Sequence, residues 1–265
     1  MSWIWAAVMP HPPIIVPEVG RERAKDAAIT LAGVSALTDR LGGAAPDVLL
    51  VLSPHQPYSM GSLAVNGAAA ASGSFSPFGA PSVEFSLRTS IGGVDSLAPY
   101  LDMNGIKVSL YESRDLTHDQ GTTVPLYFLR ERFKNLPDVI LSSPIGLGIK
   151  DAFSLGRTLA GYDDGKKWAL LASGDLSHRL KQGAPAGYSP RGAEFDAAVV
   201  SALRARDAAS LLEMRRSFIE DAGECGLRSV LAMIGLCAEL DWRIDVLSYE
   251  GPFGVGYCNA VGEAV

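Results

Sequence analysis

The chain has 265 residues, 48% of them hydrophobic, with 23 lysines and arginines against 29 aspartates and glutamates for a formal charge of −6. That length and apolar share sustain a large buried core, and the acidic balance, without any long basic run, argues against nucleic acid as a partner and leaves a small ligand. No apolar stretch reaches the roughly 18 residues that would span a membrane, and Cys225, Cys237 and Cys258 lack paired spacing, so a reducing, cytoplasmic setting is expected.

In chain order, the apolar Met1 to Val8 segment is too short and lacks the leading charge of a signal peptide, so Trp3 to Val8 reads as a first buried strand. A helix is expected within Val19 to Leu41, and Asp47 to Ser53 is a second apolar strand. The stretch Leu63 to Thr89 is rich in Gly, Ala, Ser and Pro, and its alternating Val83-Glu84-Phe85-Ser86-Leu87 predicts a short antiparallel excursion. A helix near Val94 to Leu101, a strand at Lys107 to Tyr111, a helix at Thr123 to Phe133, a strand at Asp138 to Ser142 and a helix at Lys150 to Ala160 follow. The strand Trp168 to Ser173 precedes helices at Gly192 to Ala205, Ala208 to Glu220 and Gly226 to Leu240, and strands at Arg243 to Ser248 and Val255 to Val261 close the chain. This alternation predicts an α/β fold, one domain over 1–265 with a central mixed, mostly parallel sheet and helices on both faces.

All four histidines follow apolar runs in stretches marked by Pro, Asp or Gly: Met9-Pro10-His11-Pro12-Pro13, Ser53-Pro54-His55-Gln56-Pro57, Leu116-Thr117-His118-Asp119 and Gly174-Asp175-Leu176-Ser177-His178. Ligands of such sheets bind outside the carboxyl ends of the strands. His11, His55 and His178 fall there directly, whereas His118 needs the loop Glu112 to Leu116 to fold back. Imidazole is both a metal ligand and a neutral-pH acid and base. Two imidazoles and a carboxylate on one face of an octahedral metal suit a non-haem Fe(II) ion with open positions. Proline around His11 and His55 keeps both out of helices and makes them the nitrogen pair. Glu250, directly after the closing strand in Tyr249-Glu250-Gly251-Pro252, is the expected carboxylate.

Other residues have plainer readings. Asp119 stands where a helix cap belongs, and Asp175 fits either a cap or an acceptor that orients a ring. Cys225 opens a helix where a thiolate is favoured, but without a spare histidine to activate it the residue is read as structural; Cys237 reads as core. Gly146-Leu147-Gly148 lacks the third glycine of a dinucleotide loop, and Ala172-Ser173-Gly174 is not a nucleophile elbow.

The five segments His11-Pro12-Pro13, Ser53-Pro54-His55, Thr117-His118-Asp119, Gly174 to His178 and Tyr249-Glu250-Gly251, in this order from residue 5 to residue 262, resemble the class III extradiol ring-cleavage dioxygenases. The resemblance implies an Fe(II) site of His11, His55 and Glu250, with His178 as acid and base and His118 lining the pocket for substrate and oxygen. It implies a catechol-type diol and dioxygen as substrates, aromatic catabolism as the setting and a homodimer as a family-level expectation. In the related Memo branch a cysteine holds the carboxylate position, so Glu250 places this chain nearer the enzymes. Two alternatives stay open: zinc in the same ligands, activating water or a carbonyl without redox chemistry, and a Memo-like protein that binds a partner without catalysis.

Overall fold

The computed structural model describes residues 2–133 and 135–265. Its elements begin with β1 (Trp3–Met9), α1 (Pro17–Gly20), α2 (Ala28–Leu41), β2 (Val48–Leu52), β3 (Leu63–Asn66), β4 (Ala70–Phe75) and β5 (Ala80–Arg88). The middle of the chain supplies α3 (Ile91–Met103), β6 (Val108–Tyr111), α4 (Gln120–Arg130), β7 (Asp138–Ser143), α5 (Ile149–Ala160) and β8 (Trp168–Ser173). Helices α6 (Pro190–Ala205), α7 (Ala209–Leu212), α8 (Arg216–Ala222) and α9 (Leu227–Glu239) lead to β9 (Arg243–Glu250) and β10 (Tyr257–Glu263).

The most apolar runs become the innermost strands, because a strand covered on both faces has no side to spare for polar residues. Every residue of β2 and of β8 is buried. Eight strands form one sheet in the order β6-β3-β7-β2-β8-β1-β10-β9. The four central strands β7, β2, β8 and β1 run parallel, while β3 is antiparallel to β7 and β10 to both β1 and β9. The expected mixed α/β sheet is thus present.

Side chains alternate across it. Ala6, Val8 and Leu50 face a layer of α3, α5, α6 and α9, and Trp5, Ala7, Met9, Leu49 and Val51 face α2, α4 and the β4–β5 hairpin. That hairpin is the expected antiparallel excursion, but Leu63–Asn66 leaves it and joins the main sheet between β6 and β7 as a fully buried strand. The helix expected over Ala208 to Glu220 is divided into α7 and α8, since Arg215 adopts an extended conformation, and α8 then ends at Gly223 in the left-handed region (φ 60°). Among the described residues no helix is long and apolar enough to cross a membrane.

Candidate active site

Strands β2, β8 and β1 are neighbours, so the segments after them emerge side by side on one rim. They carry His55, Asp175 with His178, and His11 respectively. His11 is 3% exposed, and its Nδ1 lies 3.0 Å from Ser173 Oγ at the end of β8. A hydrogen on Nδ1 bonded to that hydroxyl leaves the Nε2 lone pair facing outward. His55 enters through a turn in which Ser53 Oγ accepts from its amide at 3.2 Å. The two imidazoles meet edge to face, with Nε2 of each 3.1 Å from the other.

His55 Nε2 also lies 3.0 Å from Gln120 Nε2. The amide reaches it because α4 begins tightly against the β2 end: a Cβ on Gly121 would stand 2.2 Å from Ser53 Oγ. Burial drives the His11 pKa down to about 3, and burial with the neighbouring His11 drives that of His55 down to about 4. Both rings are therefore neutral near pH 7, with lone pairs to offer a cation.

Asp175 fixes the backbone of His11, its Oδ1 accepting from the His11 amide at 2.9 Å, and its Oδ2 stands 3.9 Å from His11 Nε2. Burial raises its pKa. Cys225 arrives from the loop before α9. Its Sγ accepts from the Asp175 amide at 3.3 Å and lies 3.6 Å from His11 Nε2. Two glycines make this approach possible, for a Cβ on Gly174 would stand 2.2 Å from the Gly226 Cα. Burial, with the Asp175 and Glu224 carboxylates nearby, pushes the Cys225 thiol well up. Cys225, expected to be structural, thus stands against His11, and its position at a helix start is its one local signal as a site residue.

His178 is half-buried, and the Gly223 carbonyl accepts from its amide at 3.1 Å and from its Nδ1 at 2.6 Å. A carbonyl only accepts, so a hydrogen on Nδ1 is committed to that bond and Nε2 is the nitrogen left for substrate. Three residues after Asp175 in the segment that follows β8, it lies on the same rim.

The structure does not bring the other two expected residues to the pair. Glu250 sits at the end of β9 on the same rim, but β10 separates it from β1. Its Oε1 accepts from the Thr30 amide at 2.5 Å and from the Thr30 hydroxyl at 2.7 Å. Helix α2 has no side-chain cap of its own, so Glu250 satisfies that helix N-terminus from across the fold. Among the described residues, the one carboxylate within ion-pair distance of either imidazole is that of Asp175. His118 is exposed, and it acts on the charge of Asp115 rather than on the cluster. The loop 112–119 does return to the rim, but it is Asp119 that turns inward. Asp119 caps α4 through the Thr122 amide, accepts from Ser53 Oγ at 2.5 Å and also binds Gln56.

Does this donor set suit a metal ion? Metal–nitrogen bonds of about 2.0 Å and a metal–sulfur bond of about 2.3 Å, at tetrahedral angles, put nitrogens about 3.3 Å apart and nitrogen and sulfur about 3.5 Å apart. The 3.1 Å and 3.6 Å separations of the His11 nitrogen from His55 and Cys225 are close to these edges. Among the described residues no three His, Cys, Asp or Glu side chains already form a complete ligand cluster. The neutral imidazole pair fits a divalent ion, and the thiol is the nearest third donor.

Residues 5–259 match the family described as the catalytic LigB subunit of aromatic ring-opening dioxygenase. A relative, Protein CA_C1420 of Clostridium acetobutylicum, is 32% identical over 260 residues covering 94% of this chain, and the chain spans 55% of that relative's length. A crystal structure of uncharacterized protein JW3007 from Escherichia coli K12 superposes with a TM-score of 0.66 at 15% identity, over 97% of this chain and 99% of that one. At that identity the likeness speaks to the fold alone.

Proposed function

The chain belongs to the family of the catalytic LigB subunit of aromatic ring-opening dioxygenases, and from that membership we propose that it is an Fe(II)-dependent extradiol dioxygenase acting on a catechol-type diol. The observation that carries the reading is the apposition of the two neutral Nε2 atoms of His11 and His55 at 3.1 Å, beside a His178 whose Nε2 is free. His11 and His55 would hold the metal, with Cys225 Sγ as the nearest third donor in place of the expected Glu250. Bound there, Fe(II) supplies a Lewis-acidic, redox-active centre that lowers the pKa of a chelated diol and brings dioxygen beside it.

The chain's own residues do the rest. Ser173 and Asp175 fix the orientation of His11, which holds that donor in place before substrate arrives; the Gln120 amide, 3.0 Å from His55 Nε2, would give up that contact when the metal binds. His178 Nε2 takes the proton of a diol hydroxyl and returns it to the departing oxygen later, the double role of a general acid and base. His118, exposed on the loop before α4, would approach bound substrate only from the outer side of the rim.

The test is reconstitution with Fe(II) without air, followed by simple catechols and oxygen. Oxygen uptake with the yellow absorbance of ring-opened products supports the reading; iron bound without turnover across a broad panel would sink it.

The position of Cys225 favours a second reading. A thiol beside the pair, with Glu250 engaged elsewhere, is the arrangement expected of the Memo branch, where the site serves binding rather than ring cleavage. A soft sulfur donor also suits zinc. Metal analysis of protein purified without added metal separates zinc from iron.

A further inference from the structure

The two imidazoles of the pair are held differently. His11 has Ser173 Oγ at its Nδ1 and Asp175 at its amide. Among the described residues His55 has at its Nδ1 only the Gln120 amide, at 3.5 Å and so beyond ordinary hydrogen-bond length. A ligand imidazole is normally oriented by a partner on its second nitrogen. Without one, the placement of His55 falls to its backbone, and that backbone leads to one buried carboxylate.

His55 stands in the chain between Ser53 and Gln56, and both are buried, as is Asp119 against them. The His55 amide donates to Ser53 Oγ at 3.2 Å, and that hydroxyl donates to Asp119 Oδ1 at 2.5 Å. Its one hydrogen is thus committed to Asp119, which turns a lone pair toward the His55 amide. On the other side of His55 the Gln56 side-chain amide donates to Asp119 Oδ2, and the Tyr111 hydroxyl donates to Gln56 Oε1. Capping α4 needs one oxygen, and Oδ1 serves it by accepting from the Thr122 amide at 3.1 Å. The bonds to Ser53 and Gln56 go beyond that task and hold both ends of the turn 53–56 that carries His55.

Resting on the reading of His11 and His55 as metal ligands, we propose that Asp119 is the positioning residue of His55, fixing the turn 53–56 so that His55 Nε2 faces that of His11. The test is calorimetric titration of the metal-free full chain with Co(II). Asp119→Ser keeps a cap oxygen for α4 but is too short to hold Ser53 and Gln56. It should weaken Co(II) binding at least about tenfold, the usual effect of losing a group that orients a ligand, while the melting temperature stays close to that of wild type. Asp119→Asn keeps an oxygen for Ser53 and the Thr122 amide, and should stay within about threefold of wild type. Ser53→Ala should match Asp119→Ser, and the double variant should bind no more weakly than the weaker single one, because both cut the same connection. Ser53→Ala carries the test if Asp119→Ser loses its thermal transition, and wild-type affinity there would overturn the proposal. Equal affinities in Asp119→Ser and Asp119→Asn, or additive losses in the double variant, would do the same. Co(II) binding that survives in His55→Ala would remove the ligand reading and the proposal with it. Binding that needs His55 but neither Asp119 nor Ser53 would remove the proposal alone.

Discussion

The Glu250 carboxylate accepts two hydrogen bonds from Thr30, one from the amide at 2.5 Å and one from the hydroxyl at 2.7 Å, and so caps α2 from 220 residues away. Glu250→Ala should therefore act on stability, at a cost of about 1 kcal/mol for a lost cap. Metal affinity should change less than about threefold, whereas Cys225→Ser should weaken it tenfold or more by replacing a soft donor. Urea unfolding and metal titration of both variants check this. Loss of metal binding in Glu250→Ala, with stability unchanged, would restore the glutamate as a ligand.

The contact between Gly174 and Gly226 makes a second prediction. A methyl group at Gly174 would stand 2.2 Å from the Gly226 Cα, where backbone must shift rather than a side chain. Gly174→Ala should cost about 1–3 kcal/mol of stability through overpacking. It should also push Cys225 away from His11 and weaken metal binding. A variant with wild-type melting temperature and affinity would show that the two segments adjust freely.

These two cases show what was legible in the sequence. The buried strands and the histidines after β1, β2 and β8 could be read directly, because an apolar run followed by Pro or Gly locates a strand end without reference to anything distant. Glu250 could be placed on the rim by the same logic, but not its separation from His11 by β10, nor the missing cap of α2 that draws it aside. Cys225 depends on a glycine contact between segments 52 residues apart in sequence, from 226 less 174, for which local pattern holds no signal. His118 follows β6, which runs parallel to β3 and so against the central strands. The returning loop decides which of two adjacent residues faces in, and Asp119 takes that place through its bonds to Ser53 and Gln56.

His178 and Gly223 provide the third prediction. His178→Gln should lower turnover about 10²- to 10⁴-fold, the usual share of a general acid–base group, with metal content unchanged. Gly223→Ala should lower turnover too, because its φ of 60° disfavours a side chain and the new Cβ would stand 2.9 Å from Arg179 Nε. Steady-state kinetics with metal analysis decides the matter. Full activity in His178→Gln would remove His178 from the chemistry.

A fourth prediction concerns pH. Asp196 is fully buried, accepts from the Ser177 amide at 2.8 Å and the Tyr249 hydroxyl at 2.7 Å, and burial pushes its pKa up to about 7. A carboxyl whose folded pKa lies above its unfolded value binds its proton more tightly when folded. Its contribution to stability is complete below about pH 4 and is lost as pH rises toward 7. His11 and His55, with lowered values, act oppositely and cost stability as pH falls below about 6.5. The difference between wild type and Asp196→Asn isolates the first effect. Urea unfolding at pH 5 and pH 8 should show the wild type losing stability relative to the variant at the higher pH; a constant difference would contradict the assignment.

The central claim is that His11 and His55 together hold one divalent ion, and the most direct test is anaerobic titration of the metal-free chain with Fe(II), followed by calorimetry. One ion per chain should bind to the wild type, and His11→Ala and His55→Ala should each abolish that binding while keeping the thermal transition. Stoichiometric binding that survives in the His11→Ala, His55→Ala double variant would contradict it.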